Sequence, residues 1–392
     1  MTIQLTHIFY PEVFKRYSNK YNVFRDLHEK DLLALEIRDI EYKLAKDIRN
    51  IILAAKEICY LVEKEKKVAS DILILGSFLV FKELAKEIIA EGNEDLGQKI
   101  IRVLAHFTNY ESSKINISGK IFEMNQSHIV GILNSTPDSF YDGGNYSEKA
   151  RAVDHALNMI ENGASIIDIG GESSRPGAEK VELDEELKRT IPVIEEILRI
   201  KNDAIISVDT TKSEVAEEAL KIGAKIINDI SSFSDDKMPE IIKKYDAAVI
   251  LMHMQGTPKN MQIAPKYGDV VSEIYDYLFQ KCDYAKRYGI NNIIIDPGIG
   301  FGKRVADNFE ILKRLNEFVG LGFPILIGVS NKSFIGKSLN LEIGKREEAT
   351  LAAESYAIAN SARFIRTHNV KNSFIASKLN MFIQNPELIN HV

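Results

Sequence analysis

The stretch that decides the fold is HIVGILNSTPDSFYDGG, residues His128 to Gly144. It opens with an apolar run from Ile129 to Leu133, continues with polar and turn-forming residues, and leads into a helical pattern near Ser147. A short apolar run bounded by turn residues is typical of a strand that is buried on both faces. The stretch therefore predicts a unit of strand, long polar loop and helix.

The same unit recurs along the rest of the chain. The later strands are predicted at Ser165–Ile169, Ile205–Val208, Lys225–Ile227, Ala248–Met252, Asn292–Ile295, Pro324–Ile327 and Arg363–Ile365. The helices are predicted at Glu148–Asn162, Asp184–Arg199, Ser213–Ile222, Met238–Lys244, Val270–Tyr288, Ala306–Phe318, Arg346–Asn360 and Lys371–Phe382. This alternation predicts an α/β fold, a closed (β/α)₈ TIM barrel whose active site lies where the strands end. A doubly wound open sheet is the alternative. It normally carries ligand loops on only part of the sheet, whereas here every strand is followed by polar residues.

The first 115 residues do not follow this pattern. Apolar residues recur there every three or four positions, which is typical of helices. The helical patterns are Glu29–Lys67, Phe78–Ala90 and Glu94–Phe107, and Asp71–Gly76 is compatible with a strand or a helix. We therefore predict a smaller, mainly helical N-terminal domain over residues 1–115, without a catalytic constellation, and a barrel domain over residues 116–392. A small hairpin is predicted around Ser118-Gly119, in the segment that joins them.

Composition limits the classes of partner. The 392 residues are 45% hydrophobic and 27% charged, with a net charge of −6, which argues against a surface for nucleic acid or an anionic membrane. No apolar run approaches the roughly 18 residues of a membrane helix, and the N-terminus lacks the pattern of a signal peptide. Cys59 and Cys282 are far apart and without metal-like spacing, so a reducing cytoplasm is the simplest interpretation.

Three polar residues directly follow predicted strands: Asp209, Asn228 and Asp296. In a barrel they would line one apolar mouth, where carboxylates and amides are costly unless they find hydrogen-bonding partners. A flat heterocycle with ring N–H and amino donors would supply those partners. Ordinary capping of neighbouring backbone is the alternative for each residue taken singly.

A lysine lies in the loop after the seventh strand. Lys332 is flanked by Ser330 and Ser333, and it can pair with a carboxylate or with an acceptor on a ring. The neighbouring hydroxyls and Gly336 suggest a tight helix start that is suited to an anion. A solvated surface lysine is the alternative.

Arg366 and His368 alternate along the eighth strand, so they are expected to point the same way. An arginine beside a histidine suits phosphate, although a structural ion pair is the alternative. Asn134 ends the first strand, which neighbours the eighth in a closed barrel. It could share that phosphate or hold Mg²⁺ through oxygen.

Other motifs carry less information. Gly298–Gly302 lacks the third glycine of a dinucleotide fingerprint, because residue 303 is a lysine, so we interpret it as a bare loop with Phe301 as an apolar wall. His253 is more simply a satisfied buried histidine than a metal ligand, and the spacing of zinc sites is absent. The loops Ser135–Tyr146 and Gly171–Val181 are candidate lids.

Taken together, the motifs resemble those of the dihydropteroate synthase family over about residues 114 to 385. They are GILNSTPDSF from Gly131, GGESSRPG from Gly170, SVDT from Ser207, IND from Ile227, DPGIGFG from Asp296, SNKS from Ser330 and RTH from Arg366. The resemblance implies that 6-hydroxymethyl-7,8-dihydropterin diphosphate and 4-aminobenzoate condense to 7,8-dihydropteroate and pyrophosphate. It further implies a cytoplasmic homodimer that is a sulfonamide target.

The resemblance also assigns roles to residues. Asp209, Asn228, Asp296 and Lys332 would hold the pterin. Asn134, Arg366 and His368 would hold the diphosphate, with Asn134 also a Mg²⁺ ligand. Ser174, Arg175, Phe301, Lys332 and Ser333 would border the aminobenzoate. The catalytic residues would be Asp209, Asp296, Lys332 and Arg366. No protein nucleophile is required.

Two residues depart from the family pattern, and two rival functions remain. Ser174 stands where the family usually has threonine, and Asn331 where it usually has arginine, which puts affinity and sulfonamide response in doubt. A pterin-binding methyltransferase acting on methyltetrahydrofolate would share the barrel and its carboxylate pocket, but it has no diphosphate to grip. A non-catalytic binding barrel would be expected to have lost Lys332, Arg366 or His368.

Overall fold

The computed structural model describes residues 1–7, 11–21, 33–55, 57–64, 68–135, 145–173 and 181–391. The chain forms two compact units. One comprises Met1–Tyr110 together with Glu317–Gly322, and the other comprises the rest of the chain from Glu111 onward. Within the described residues, no helix is both long enough and apolar enough to cross a membrane.

The first unit is a four-stranded antiparallel sheet with helices. Its strands are β1 (Thr2–His7), β2 (Leu33–Glu41), β3 (Ile58–Glu63) and β4 (Ala69–Gly76), in the order β1-β2-β4-β3. Its helices are α1 (Pro11–Tyr21), α2 (Tyr42–Ala54), α3 (Phe78–Ala90) and α4 (Glu94–Asn109). Successive strand residues point to opposite faces. Leu35 and Ile37 therefore pack in the core that holds α2, α3 and α4, while Ala34 packs in the smaller core beneath α1.

This sheet corrects the helical pattern that was predicted over Glu29–Lys67. The helices α3 and α4 lie where they were predicted, but Glu29–Lys67 is not helical throughout, because Leu33–Glu41 and Ile58–Glu63 are strands. Leu33, Ile37 and Ile40 of β2 are four and three residues apart, so they continue the helical spacing of α2, although Leu35–Arg38 alternates as a strand does. An irregularity in β2 between Ile37 and Ile40, where Asp39 has φ +56°, adds to the effect.

The second unit begins with the predicted hairpin. Strands β5 (Lys114–Ile117) and β6 (Lys120–Glu123) pair antiparallel. Ser118 and Gly119 join them with φ of +50° and +91°, the left-handed conformation that two-residue hairpin turns use. The Gly119 N–H donates to the side chain of Asn116 at 2.8 Å, which closes the turn.

The predicted barrel is confirmed: eight parallel strands close on themselves, with β14 pairing β7. They are β7 (His128–Asn134), β8 (Ala164–Gly170), β9 (Ile206–Asp209), β10 (Ile226–Asp229), β11 (Ala248–Met252), β12 (Ile293–Asp296), β13 (Ile325–Ile327) and β14 (Ala362–Thr367). The helices are α5 (Asn145–Glu161), α6 (Leu183–Ile200), α7 (Ser213–Lys221), α8 (Met238–Lys244), α9 (Val270–Arg287), α10 (Val305–Lys313), α11 (Ser333–Leu339), α12 (Glu347–Ala359) and α13 (Val370–Gln384).

One helix around the barrel differs from the prediction, and one predicted helix start is present. The helix predicted to reach Phe318 ends at Lys313, and a 3-10 helix follows over Leu315–Leu321. The separate helix α11 begins directly after Lys332, so the tight helix start predicted at that loop is present.

The hairpin closes one end of the barrel. Its apolar residues share a core with strand residues near the N-terminal ends of the barrel strands, among them Val130, Ile166 and Ile226. The Phe122 ring meets the His128 ring edge-on at 5.0 Å and lies 5.6 Å from the Phe364 ring. This end is therefore packed with apolar side chains, and polar residues lie toward the other end.

Candidate active site

The polar layer of the barrel follows from strand alternation. A side chain two residues further along a strand points to the same face. Four residues stand two positions beyond apolar residues of the barrel core: Asp168 after Ile166, Asn228 after Ile226, Asp296 after Ile294 and Arg366 after Phe364. Each therefore faces the barrel axis one layer above the apolar core, at the C-terminal ends of the strands. This is the face where barrel enzymes carry their active sites.

Asp168 is the centre of this layer. Its side chain is fully buried, and its Oδ2 accepts from Arg366 Nε at 2.6 Å and from Asn228 Nδ2 at 3.0 Å. The same guanidinium donates from Nη2 to Asp209 Oδ2 at 2.9 Å. The barrel thus joins residues of four strands in one hydrogen-bonded group. The Oδ1 atom of Asp168 is buried without a hydrogen-bond partner among the described residues, so it can accept from a bound ligand.

Asp168 was missed in the sequence. The signal was present: a carboxylate interrupts the apolar run of β8, two residues beyond Ile166, as Asn228 stands two beyond Ile226. Strand-end position singled out Asp209, Asn228 and Asp296, whereas Asp168 lies inside its strand. The criterion that finds it is a shared inward face.

Asp209 lies in an unfavourable place for a charge. It is nine-tenths buried, and burial raises the pKa of its carboxyl to about 7, with Asp168 and Glu186 adding to the rise while Arg366 opposes it. One guanidinium shared between two carboxylates does not offset the cost of burying both. A ligand that donates hydrogen bonds would therefore stabilise this group.

Asp296 and Lys332 form the other side of the mouth. Asp296 Oδ1 accepts from the Gly298 N–H at 2.7 Å, and burial raises the pKa of this carboxyl, while Lys332, Lys303 and Arg366 lower it. Lys332 Nζ donates to the carbonyl of Ile299 at 2.7 Å. Burial lowers the pKa of Lys332 to about 8, against the attraction of Asp296. The lysine therefore remains mostly protonated at pH 7 and can donate a hydrogen bond to a ligand.

Phe301 is placed as an apolar wall against that lysine. The Lys332 ammonium lies 4.1 Å from the centre of the Phe301 ring, which is the geometry of a cation–π contact. Gly300 has φ +83°, and a Cβ there would lie 2.9 Å from the Lys332 side chain. The glycine allows the loop to approach the lysine closely.

The other predicted site residues have different surroundings. His368 is exposed, and its Nδ1 lies 2.9 Å from Ser330 Oγ. With Ser330 it lines a cavity of about 400 Å³. Ser333 is the exposed first residue of α11. Asn134 ends β7, half-buried, opposite Gly170 of β8.

The departure at Asn331 has a conformational consequence. This exposed residue has φ +56°, a left-handed conformation that asparagine tolerates better than most side chains. Its N–H donates to the Thr350 hydroxyl at 3.3 Å and its carbonyl accepts from Arg346 at 3.1 Å, so the backbone of the lysine loop is tied to α12 and its N-cap.

A charged cluster lies on the rim above Asp209. Lys212 Nζ donates to Glu172 at 2.5 Å and also to Glu186, which is almost fully buried on α6. Arg189 donates to the carbonyl of Gly171 at 3.0 Å. These contacts fasten the start of the loop that follows β8. Ser174 and Arg175, predicted on that loop, lie outside the described residues, as does most of both predicted lid loops.

A Mg²⁺ site can be tested against the residues at the end of β7. Among the described residues, no group of three or more His, Cys, Asp or Glu side chains is arranged to hold a metal. Mg²⁺ often uses one or two protein oxygens together with waters and substrate phosphates. Asn134 offers an amide oxygen, and the buried Ser135 hydroxyl beside it has no hydrogen-bond partner in the part of the chain that the structure describes. This donor set fits a magnesium ion held jointly with a phosphate ligand.

Comparison with known proteins agrees with this geometry. The family model described as pterin binding enzyme matches residues 130–368. The dihydropteroate synthase of Escherichia coli K12 is 44% identical over 268 residues, covering 68% of this chain and 95% of the relative. The chain belongs to the dihydropteroate synthase family. The family member from Synechocystis is 43% identical over 275 residues, covering 68% of this chain and 94% of its own length.

Solved dihydropteroate synthase structures are similar over the same part of the chain. The Yersinia pestis enzyme in a sulfonamide drug complex has a TM-score of 0.66 at 38% identity, covering 69% of this chain and 99% of that one. The Xanthomonas albilineans enzyme in complex with 7,8-dihydropteroate has a TM-score of 0.63 at 35% identity, covering 70% and 99%. The N-terminal region lies outside the family match, which begins at residue 130.

Proposed function

We propose that this protein condenses 6-hydroxymethyl-7,8-dihydropterin diphosphate with 4-aminobenzoate, giving 7,8-dihydropteroate and pyrophosphate. The observation that carries the proposal is the buried polar layer in which Arg366 bridges Asp168 and Asp209 while Asn228 bonds Asp168. Its carboxylates need hydrogen-bond donors, and a pterin ring carries N–H and amino donors on one edge. The similarity to dihydropteroate synthases over the whole barrel supports the same reaction.

The pterin is held by Asp209, Asn228, Asp296 and Lys332 in this proposal. Asp209 and Asp296 would accept from ring N–H and amino groups, and ionisation of Asp209 is favoured once those donors arrive. Lys332 would donate to a ring acceptor. Its attachment to the Ile299 carbonyl and the Phe301 ring fixes its direction before the substrate binds.

The diphosphate is assigned to Asn134, Arg366 and His368. Arg366 is already engaged by two carboxylates, so its remaining donors, or a shift away from Asp209, would serve the phosphate. His368, whose Nδ1 lies 2.9 Å from Ser330 Oγ, would contact a phosphate oxygen. Mg²⁺, held through Asn134 and beside Ser135, would supply further neutralisation of the leaving pyrophosphate.

The 4-aminobenzoate site is assigned to Phe301, Lys332 and Ser333, with Ser174 and Arg175 from the loop after β8. The Phe301 ring offers an apolar wall for an aromatic substrate, and Lys332 and Ser333 offer donors for its carboxylate. A sulfonamide, which has the same aromatic amine, would compete for this site.

The proposed mechanism is dissociative. The bond between the exocyclic carbon and the phosphate oxygen breaks, and pyrophosphate leaves with the electron pair. The exocyclic carbon becomes electron-poor and shares its positive charge with the pterin ring, and the buried carboxylates stabilise this cation. The arylamine nitrogen then attacks that carbon and loses a proton. A covalent adduct between the enzyme and the pterin would refute this route.

Two further properties belong to the proposal. A homodimer is supported by an exposed apolar stripe on α13, formed by Ile375, Leu379 and Ile383 at successive turns, which are 56%, 58% and 65% exposed. Sedimentation at micromolar concentration tests it, because a species of one chain's mass contradicts it.

A cytoplasmic location is supported by Cys59 and Cys282, which are both free thiols.

The function is tested by measuring pyrophosphate release with both substrates present. We expect turnover that requires both substrates, and a loss of about 100-fold or more in kcat/KM for Lys332→Ala, because a positioned donor is removed from a buried site. Lys337→Ala, at an exposed position on helix α11, which begins directly after Lys332, is the control and should retain full activity. Turnover with a methyl donor instead of the diphosphate would favour the methyltransferase. Pterin binding without turnover would favour a binding barrel.

A further inference from the structure

A buried lysine lies next to the site without facing the substrates. Lys303 follows the glycine loop Gly298–Gly302 and is only 3% exposed. Its Nζ contacts three acceptors: His253 Nδ1 at 3.0 Å, the His253 carbonyl at 3.2 Å and the Phe301 carbonyl at 2.9 Å. An ammonium group has three N–H donors, so each has an acceptor within the protein. No donor of Lys303 remains for a substrate.

His253 is the partner that receives this lysine. It lies directly after β11, is 7% exposed, and meets the Tyr277 ring edge-on at 4.9 Å. Burial and the charge of Lys303 lower the pKa of His253 to about 2, so the imidazole is neutral and can accept at Nδ1. This agrees with the prediction that His253 is a satisfied buried histidine.

The glycine loop is confined on two sides. On the side of β11, a Cβ at Gly298 would lie 1.9 Å from the His253 carbonyl oxygen, so the two backbones touch. On the other side, the loop receives Lys332, whose Nζ bonds the Ile299 carbonyl and lies over the Phe301 ring. The Lys303 ammonium donates to the backbone carbonyl of the same Phe301. The loop therefore transmits the position of Lys303 and His253 to Lys332.

We propose that Lys303 is a positioning residue of the reaction, which ties the Phe301 carbonyl to His253 and so fixes the Phe301 ring and the Lys332 amine for the substrates. The lysine acts through the loop and touches neither substrate. This proposal rests on the proposed function, because its effect is measured on the condensation reaction.

A double-mutant cycle tests this coupling. Lys303→Met, Lys332→Ala and the double variant are compared by kcat/KM in the pyrophosphate-release assay. We expect Lys303→Met to lower kcat/KM by about 10- to 100-fold, and the double variant to be no worse than Lys332→Ala within about threefold, because residues that act through one another are not additive. Additive losses in an active enzyme overturn the proposal. An inactive unmutated enzyme overturns the proposed function instead.

Matched variants separate positioning from folding. Lys243 lies on helix α8 and donates to the Gly289 carbonyl at 3.2 Å, and Lys243→Met should keep full activity. His253→Asn keeps an acceptor oxygen for Lys303, whereas His253→Leu removes it. We expect the asparagine variant to retain at least five times the kcat/KM of the leucine variant at a similar thermal midpoint. Equal activities of these two variants overturn the proposal even if Lys303→Met does not fold.

Discussion

Arg366 Nε lies 2.6 Å from Oδ2 of Asp168, and the same oxygen accepts from the Asn228 amide at 3.0 Å. One carboxylate on β8 therefore orients an arginine on β14 and an asparagine on β10. Because both partners belong to the proposed substrate site, the orientation of two substrate-binding groups depends on a residue that is itself buried beneath them.

Replacing Asp168 by asparagine should disable the site. The amide cannot balance the charge of Arg366. If its oxygen keeps the two donors that Oδ2 binds, its N–H₂ group replaces Oδ1, the acceptor that is open to a ligand. We expect kcat/KM to fall by about 100-fold or more, and the measurement is pyrophosphate release with both substrates. The matched control is Asp71→Asn, another buried and ion-paired aspartate, which contacts Lys20 at 2.7 Å and Lys64 at 2.9 Å in the first unit. Unchanged kcat/KM in Asp168→Asn would contradict the assigned role.

The pH dependence of kcat/KM should have two limbs. Asp209, whose pKa is raised to about 7, must be ionised to accept from the pterin, so activity falls as the pH drops below about 7. Lys332, whose pKa is lowered to about 8, must be protonated, so activity falls above about 8. In Lys332→Arg the side chain stays charged, and we expect the alkaline limb to disappear while the acid limb remains. Ionisation of the substrates affects the unmutated enzyme and Lys332→Arg equally. An alkaline limb that persists in Lys332→Arg would therefore belong to a group other than Lys332.

Truncating Phe122 should destabilise the barrel without touching the site. This ring is 1% exposed and packs between the hairpin, His128 and Phe364 at the closed end. We expect Phe122→Ala to lower the free energy of unfolding by about 3 to 5 kcal/mol, measured by denaturant titration. Phe309→Ala, at a ring that is 44% exposed on α10, is the comparison and should cost far less. Equal costs would show that the hairpin does not close the core.

Glu354 should make stability depend on pH. Burial raises the pKa of this carboxyl from 4.5 to about 7, although Ser373 Oγ donates to its Oε2 at 2.6 Å. A folded-state pKa above the unfolded value stabilises the fold at low pH, and the contribution is lost as the pH rises through about 7. We therefore expect Glu354→Gln to stabilise the protein by about 1 to 2 kcal/mol at pH 8 relative to its effect at pH 5. Glu348→Gln, exposed on the same helix α12, should show no such difference. The measurement is denaturant unfolding at both pH values, and an equal effect of Glu354→Gln at the two would show that the carboxyl is ionised throughout.

The sequence by itself determined the barrel and most of the residues at its mouth. Buried parallel strands appear in the sequence as short apolar runs. The polar residue that follows each run lies at the C-terminal end of the barrel, which all the strands share. Asp209, Asn228, Asp296 and Arg366 could be singled out for that reason. In the first unit the prediction failed over β2, because the apolar residues Leu33, Ile37 and Ile40 continue the spacing of the helix α2 that follows.

Tertiary structure alone decided which of these residues meet. Sequence gives the strand on which a side chain lies, but the register between strands sets which atoms come within hydrogen-bonding distance. That register pairs Asp168 with Arg366, and the loops that follow two neighbouring strands bring Lys303 to His253, fifty residues earlier. The pKa shifts are decided in the same way, because burial and neighbouring charges are properties of the packed barrel and not of any segment of its chain.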